Sequence, residues 1–212
     1  MPVSLARPLP LKPMKTSLAL VTLASLGTLA PLNAATVTYL VDLGAPNHQP
    51  YVFKEGDFGL YNAPVVVSAP DTGDHAGFGY KNARYQLGSA QLAFPMTGAY
   101  NLGEDGASTK ALIGSFFFSN PGREEVGSPV KFTLTTASRA DKVSIAAIGS
   151  VQTAQHALMT VEGTQVIVDS SESFIPVVGQ LTGKSAYEGS FATESGEGEA
   201  NLGGLLITIE SQ

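Results

Sequence analysis

Val130-Lys131-Phe132-Thr133-Leu134-Thr135-Thr136 alternates apolar and polar side chains with a period of two. That is the pattern of an extended strand with one face in a core and the other in water. Lys142-Val143-Ser144-Ile145-Ala146-Ala147-Ile148 repeats it, with Val143, Ile145 and Ala147 on the inner side. An amphipathic helix would instead return an apolar residue every three or four positions. Working outward, residues 158–161 and 166–168 flank Glu162-Gly163-Thr164-Gln165 and read as a hairpin, because Gly163 can take the positive φ of a tight turn. Residues 187–193 and 205–210 are predicted as strands, separated by a mobile acidic, Gly-rich loop over 194–204.

The first half follows the same grammar less regularly. Residues 36–43 (TVTYLVDL), 64–68 (PVVVS) and 112–119 (LIGSFFFS) are apolar runs bounded by Pro, Gly or Asn and too short for ordinary helices. Between 44 and 111 lie five of the seven Tyr, with many Gly and Pro. This stretch is predicted to be loop-rich, with short strands near 58–61, 78–80, 84–87 and 91–94. About ten short strands without helical periodicity predict an all-β fold: a two-sheet antiparallel β-sandwich, jelly-roll-like, over residues 36–212.

Residues 1–35 read as a signal peptide. Arg7, Lys12 and Lys15 form a basic start, residues 17–29 an apolar run too short for a stable membrane anchor, and Leu32-Asn33-Ala34-Ala35 a small-residue cleavage site. Its removal leaves nine basic residues against eighteen acidic ones, a net charge of about −9. Such a surface repels phosphate backbones and anionic headgroups, so nucleic acid is excluded as a partner and no membrane span is expected after processing. The expected location is secreted or periplasmic. With no Cys there is no disulfide framework and no thiolate chemistry.

The chemistry-bearing candidates are few. No G-x-S-x-G elbow accompanies His48, His75 or His156, so no hydrolase triad is signalled. Paired acids (Glu55 with Asp57, Asp71 with Asp74, Glu104 with Asp105) have the residue type a glycan-cleaving enzyme needs, but such acids are also what turns use. Asp71 and Asp74, or alternatively Glu104 and Asp105, are candidate ligands of a structural calcium, a cation that takes carboxylate and carbonyl oxygens. The leading reading is sugar binding, since a saccharide offers an apolar ring face to aromatics and a hydroxyl rim to Asn, Asp and Arg. Those types meet in Tyr61-Asn62, in Tyr100-Asn101 and in Tyr80-Lys81-Asn82-Ala83-Arg84-Tyr85, so Tyr61, Asn62, Tyr80, Asn82, Arg84 and Tyr85 are the expected contacts.

The opening strand Thr36-Val37-Thr38-Tyr39-Leu40-Val41-Asp42-Leu43-Gly44, the aromatic-Asn step Tyr61-Asn62, the strand over 143–148 and the close Gly203-Gly204-Leu205-Leu206-Ile207-Thr208-Ile209 together resemble poorly characterised exported bacterial β-sandwich proteins of the PEP-CTERM-associated type. The chain departs from them in lacking the Pro-Glu-Pro motif, the terminal hydrophobic helix and the basic end. The resemblance implies an exported sandwich associated with extracellular polysaccharide and carries over no catalytic residue. Three functions follow in order: a non-catalytic binding module for an extracellular carbohydrate, a structural matrix or surface component associating through its sheet edges, and a glycan-cleaving enzyme.

Overall fold

Two strands of twelve residues are the longest elements among the described residues. The computed structural model describes residues 35–45, 49–68, 70, 72–101, 109–152 and 156–211. The expected leader up to residue 34, His48, Asp71, Glu104 and Asp105 lie outside these. Ala35, placed at the end of the leader from sequence, is the first residue of β1.

In chain order the strands are β1 (Ala35–Asp42), β2 (Val65–Val67), β3 (Thr72–Ala76), β4 (Gly79–Leu87), β5 (Ala90–Asn101), β6 (Ser115–Ser119), β7 (Val130–Thr135), β8 (Lys142–Gly149), β9 (Ala157–Val161), β10 (Thr164–Val168), β11 (Ile175–Leu181), β12 (Ala186–Thr193) and β13 (Ala200–Ser211). One layer runs β3-β4-β5-β7-β12-β9-β10, antiparallel throughout. The other runs β2-β1-β13-β8-β11, antiparallel except for β1 beside β2. Strand β6 joins them by pairing the end of β5 on one side and the start of β13 on the other. The all-β sandwich expected from the sequence is thus made from one hydrogen-bonded sheet folded across itself.

Between the layers Leu92, Phe94, Phe132, Leu134, Tyr187 and Phe191 meet Val41, Val143, Ile145, Leu205 and Ile207. Strand parity puts them there: β7 and β8 bury the residues that their alternation marks as apolar. The β9–β10 hairpin also forms, with Glu162 and Gly163 both at positive φ, as a two-residue turn matched to strand twist requires.

Five sequence expectations change. Parallel pairing of β1 with β2 requires a crossover, and in the chain between them residues 51–60 lie across the outer face of the second layer. There Tyr51, Phe53, Phe58 and Leu60 pack with Leu40, Ile148 and Leu206. The strand expected near 58–61 is a single 3-10 turn, Asp57–Gly59, held by Asp57 Oδ2, which accepts from the Tyr51 hydroxyl at 2.5 Å and the Lys54 N–H at 3.1 Å. Thr109–Gly114 is a short helix, α1, so the strand expected from 112 begins only at Ser115; Leu112 and Ile113 pack over β13 from that helix. The loop expected over 194–204 ends at residue 199. Residues 200–204 belong to β13, where a Cβ on Gly203 would sit 3.0 Å from the backbone of Ile113 and Leu112. Glycine there serves close packing, not a turn.

The largest revision lies in 79–101, read as short fragments and found as two long strands. Asn82 takes φ 55° between the pairs Lys81–Met96 and Ala83–Phe94, opposite Pro95, which has no N–H to donate. This irregularity re-phases the alternation, so Tyr80 and Tyr85, five residues apart, both face inward.

Candidate functional site

Strand β6 reads Ser115-Phe116-Phe117-Phe118-Ser119, and all five residues are buried. Phe117 points into the main core, 5.1 Å from the Phe94 ring centroid and nearly perpendicular to it. Phe116 and Phe118 point the other way and form a separate apolar cluster with Val126.

That outer face carries an aromatic ladder. Tyr100 on β5 stands opposite Phe116, with centroids 5.7 Å apart. Gly98 stands opposite Phe118, and a Cβ on Gly98 would lie 2.4 Å from that ring, so the glycine makes the seat on which Phe118 rests. Phe78 sits in the turn before β4, fixed by the Ala99 N–H donating to its carbonyl at 2.9 Å. Its ring lies near-parallel to Tyr100 at 6.0 Å and edge-on to Phe118 at 6.3 Å. The Arg123 guanidinium lies 4.6 Å from the Phe78 ring centroid, within cation–π range, and 3.8 Å from Glu125. Arg123 is presented by a turn in which Asn120 Oδ1 accepts from the Gly122 N–H and the Asn120 carbonyl accepts from the Arg123 N–H.

Together with Gln152 and Glu199, these four rings and Arg123 line a cleft of about 190 Å³. The buried Asn201 amide, in the orientation that satisfies its bonds, donates to Glu199 Oε1 at 3.0 Å. At the mouth Phe78 and Tyr100 are 39% and 37% exposed. The cleft therefore offers aromatic carbon, a guanidinium donor, a carboxylate acceptor and an amide. Larger hollows exist, including one of about 450 Å³ on the outer face of the first layer, but its lining of Lys131, Glu162, Lys184 and Glu188 has no ring to stack on.

The six contacts expected from the sequence are not brought together. Tyr80 and Tyr85 are 2% and 0% exposed, with their rings packed against Phe117. Burial, more than the neighbouring Asp42 and Tyr80, pushes the Tyr85 hydroxyl pKa well up, and burial with Asp74 nearby raises that of Tyr80. Both are core residues, and the expectation that they stack on a ligand is corrected. Asn82 and Arg84 are exposed on the opposite side of β4. Tyr61, 74% exposed, and Asn62 belong to the crossover over the second layer. Among the sugar-binding steps weighed, Tyr100 is the one that reaches the cleft.

Asp74 lies exposed on β3, opposite Lys81. Its expected calcium partner, Asp71, is outside the described residues, and among the described residues no three acidic or His side chains gather as a metal would require. His156 is exposed and 3.8 Å from Glu194, an ordinary surface pair. Among the described residues no helix is long and apolar enough to cross a membrane. Phe78, Phe116, Phe118 and Arg123 were not marked as a site by sequence. No protein-family model matches the chain, and no curated protein or solved structure matches it either.

Proposed function

We propose that the protein is a non-catalytic binding module for an extracellular carbohydrate and that the cleft between Phe78, Tyr100 and Glu199 is its site. The observation that carries this reading is the meeting of half-exposed rings and hydrogen-bonding side chains in the lining of one cleft. A pyranose presents the same division, with an apolar C–H face and a hydroxyl rim. At about 190 Å³ the cleft suits a single sugar ring rather than a long segment; drug-sized sites run from about 300 Å³ upward.

In this reading the exposed ring carbons of Tyr100 and Phe78 pack against the sugar's apolar face. Glu199 Oε2 and the Gln152 side-chain carbonyl accept from hydroxyls, while Arg123 and the Gln152 amide donate to them. With Arg123 and Glu199 of opposite sign, the cleft favours a neutral saccharide, because a second carboxylate would face Glu199. The basic start and apolar run of residues 1–35 support delivery of the chain to the glycan outside the cytoplasm.

A glycan array probed with the purified protein tests the reading, followed by titration calorimetry with the best neutral oligosaccharide. Tyr100→Ala is expected to weaken binding about tenfold or more, the loss of roughly 1.4 kcal/mol of stacking and shape, with a far-UV circular dichroism spectrum unchanged. Failure to bind any glycan, or binding that Tyr100→Ala leaves untouched, would remove this site from consideration.

A further inference from the structure

An edge strand exposes a row of unpaired N–H and C=O groups, and proteins that stay apart blunt such edges with Pro, charge, bulges or brevity. Among the described residues four strands end the sheet, and three of them are blunted. β2 is three residues long and is entered from Pro64. β3 carries Asp74 and a register shift between Thr72 and Asp74. β11 contains Pro176 and two register shifts against β8.

β10 has none of these devices. Thr164-Gln165-Val166-Ile167-Val168 contains no charge, Pro or Gly, and its register with β9 is unbroken over five pairs. Among the described residues nothing pairs with its outer side. Val166 and Val168 turn toward the core, while Gln165 and Ile167 face outward and Ile167 is 38% exposed.

We infer that β10 is a self-association edge through which a second copy of this chain extends the first layer by antiparallel pairing. The strand is its own complement. In a two-fold pair centred on Val166, Thr164 meets Val168, Gln165 meets Ile167, and Asp169 meets Gly163, so no two charges stand opposite. Elsewhere the chain's net charge of −6 works against contact between copies. The acid nearest the start of β10, Glu162, is neutralised by its ion pair with Lys184. Five strand residues span only about 17 Å and cover less than the roughly 1,000 Å² a stable interface needs. The pair is therefore weak, with a Kd on the order of 0.1 mM, and forms where the protein is concentrated. Such pairing suits a matrix component and is independent of the cleft.

Sedimentation velocity of the purified protein from about 10 µM to about 1 mM tests this. The wild-type mass is expected to rise toward that of a dimer across this range. Ile167→Lys is expected to stay monomeric with an unchanged melting temperature, because position 167 is solvent-facing and two copies would set like charges close across the two-fold. Mixing Ile167→Lys with Ile167→Glu is expected to restore the dimer, locating contact at this edge. A wild-type chain monomeric at the highest concentration would overturn the inference. So would a lysine variant that associates as well as wild type, or a charge-swapped mixture that stays monomeric while wild type dimerises.

Discussion

Phe117 and its two neighbours in β6 are the same residue type in the same five-residue strand, yet they serve different regions of the molecule. Phe117 is enclosed by Phe94, Tyr80 and Tyr85 between the layers, with no solvent route to its ring. Phe116 and Phe118 lie beneath Tyr100 and Phe78, whose rings open onto a cleft. The strand's alternation alone makes the division. One aromatic cluster is committed to stability and the other is available for recognition, and the two meet back to back across one strand.

That division can be broken most forcefully from the inner side. Phe117→Ala is expected to cost about 3–5 kcal/mol, read from the midpoint of urea unfolding. A loss below about 1 kcal/mol would mean that the inner cluster is not the core. Gly98→Ala probes the seam: its new methyl meets the Phe118 ring, with an expected cost of about 1–2 kcal/mol and a weakened glycan affinity from the displaced ladder. Unchanged binding in a destabilised Gly98→Ala protein would separate the ladder from the cleft.

The gentlest test uses alkali. The folded Tyr85 hydroxyl has its pKa raised above the unfolded value, chiefly by burial. Above about pH 10 the unfolded chain therefore ionises this group while the folded chain holds it neutral. Stability that is intact below pH 10 is expected to fall as pH rises, with the Tyr85 phenolate signal appearing only as the fold opens. Tyr85→Phe is expected to move the alkaline midpoint upward, and an unmoved midpoint would show that this hydroxyl does not set it.

The fold was more legible than the site, for a physical reason. In β7 and β8 one face meets water, so Lys131, Thr133 and Ser144 alternate visibly with the core residues. In β4 and β5 the φ 55° Asn82 and the facing Pro95 interrupt the period, so two long strands read as fragments in a loop. In β6 both faces are covered, and three consecutive Phe carry no mark of which side each takes. Tyr100 was legible as a candidate because an aromatic beside Asn101 stood out. Arg123 was not, because its proximity to Phe78 comes from folding a turn at 121–127 onto a distant one. The cluster 80–85 misled for the converse reason: residues adjacent in sequence were divided between core and surface by the backbone.

One further consequence follows from the pairing of β1 with β13, which runs from Ala35 opposite Ser211 to Asp42 opposite Gly204. The hydroxyls of Thr38 and Thr208 meet at 3.0 Å across a separation of 170 residues. During synthesis, β1 emerges long before its main neighbour, and among the described residues the other strand paired with it is Val65–Val67. Such distant closure makes assembly slow. A nonsense codon anywhere before position 200 would yield an unfinished shell, not a slightly shorter protein.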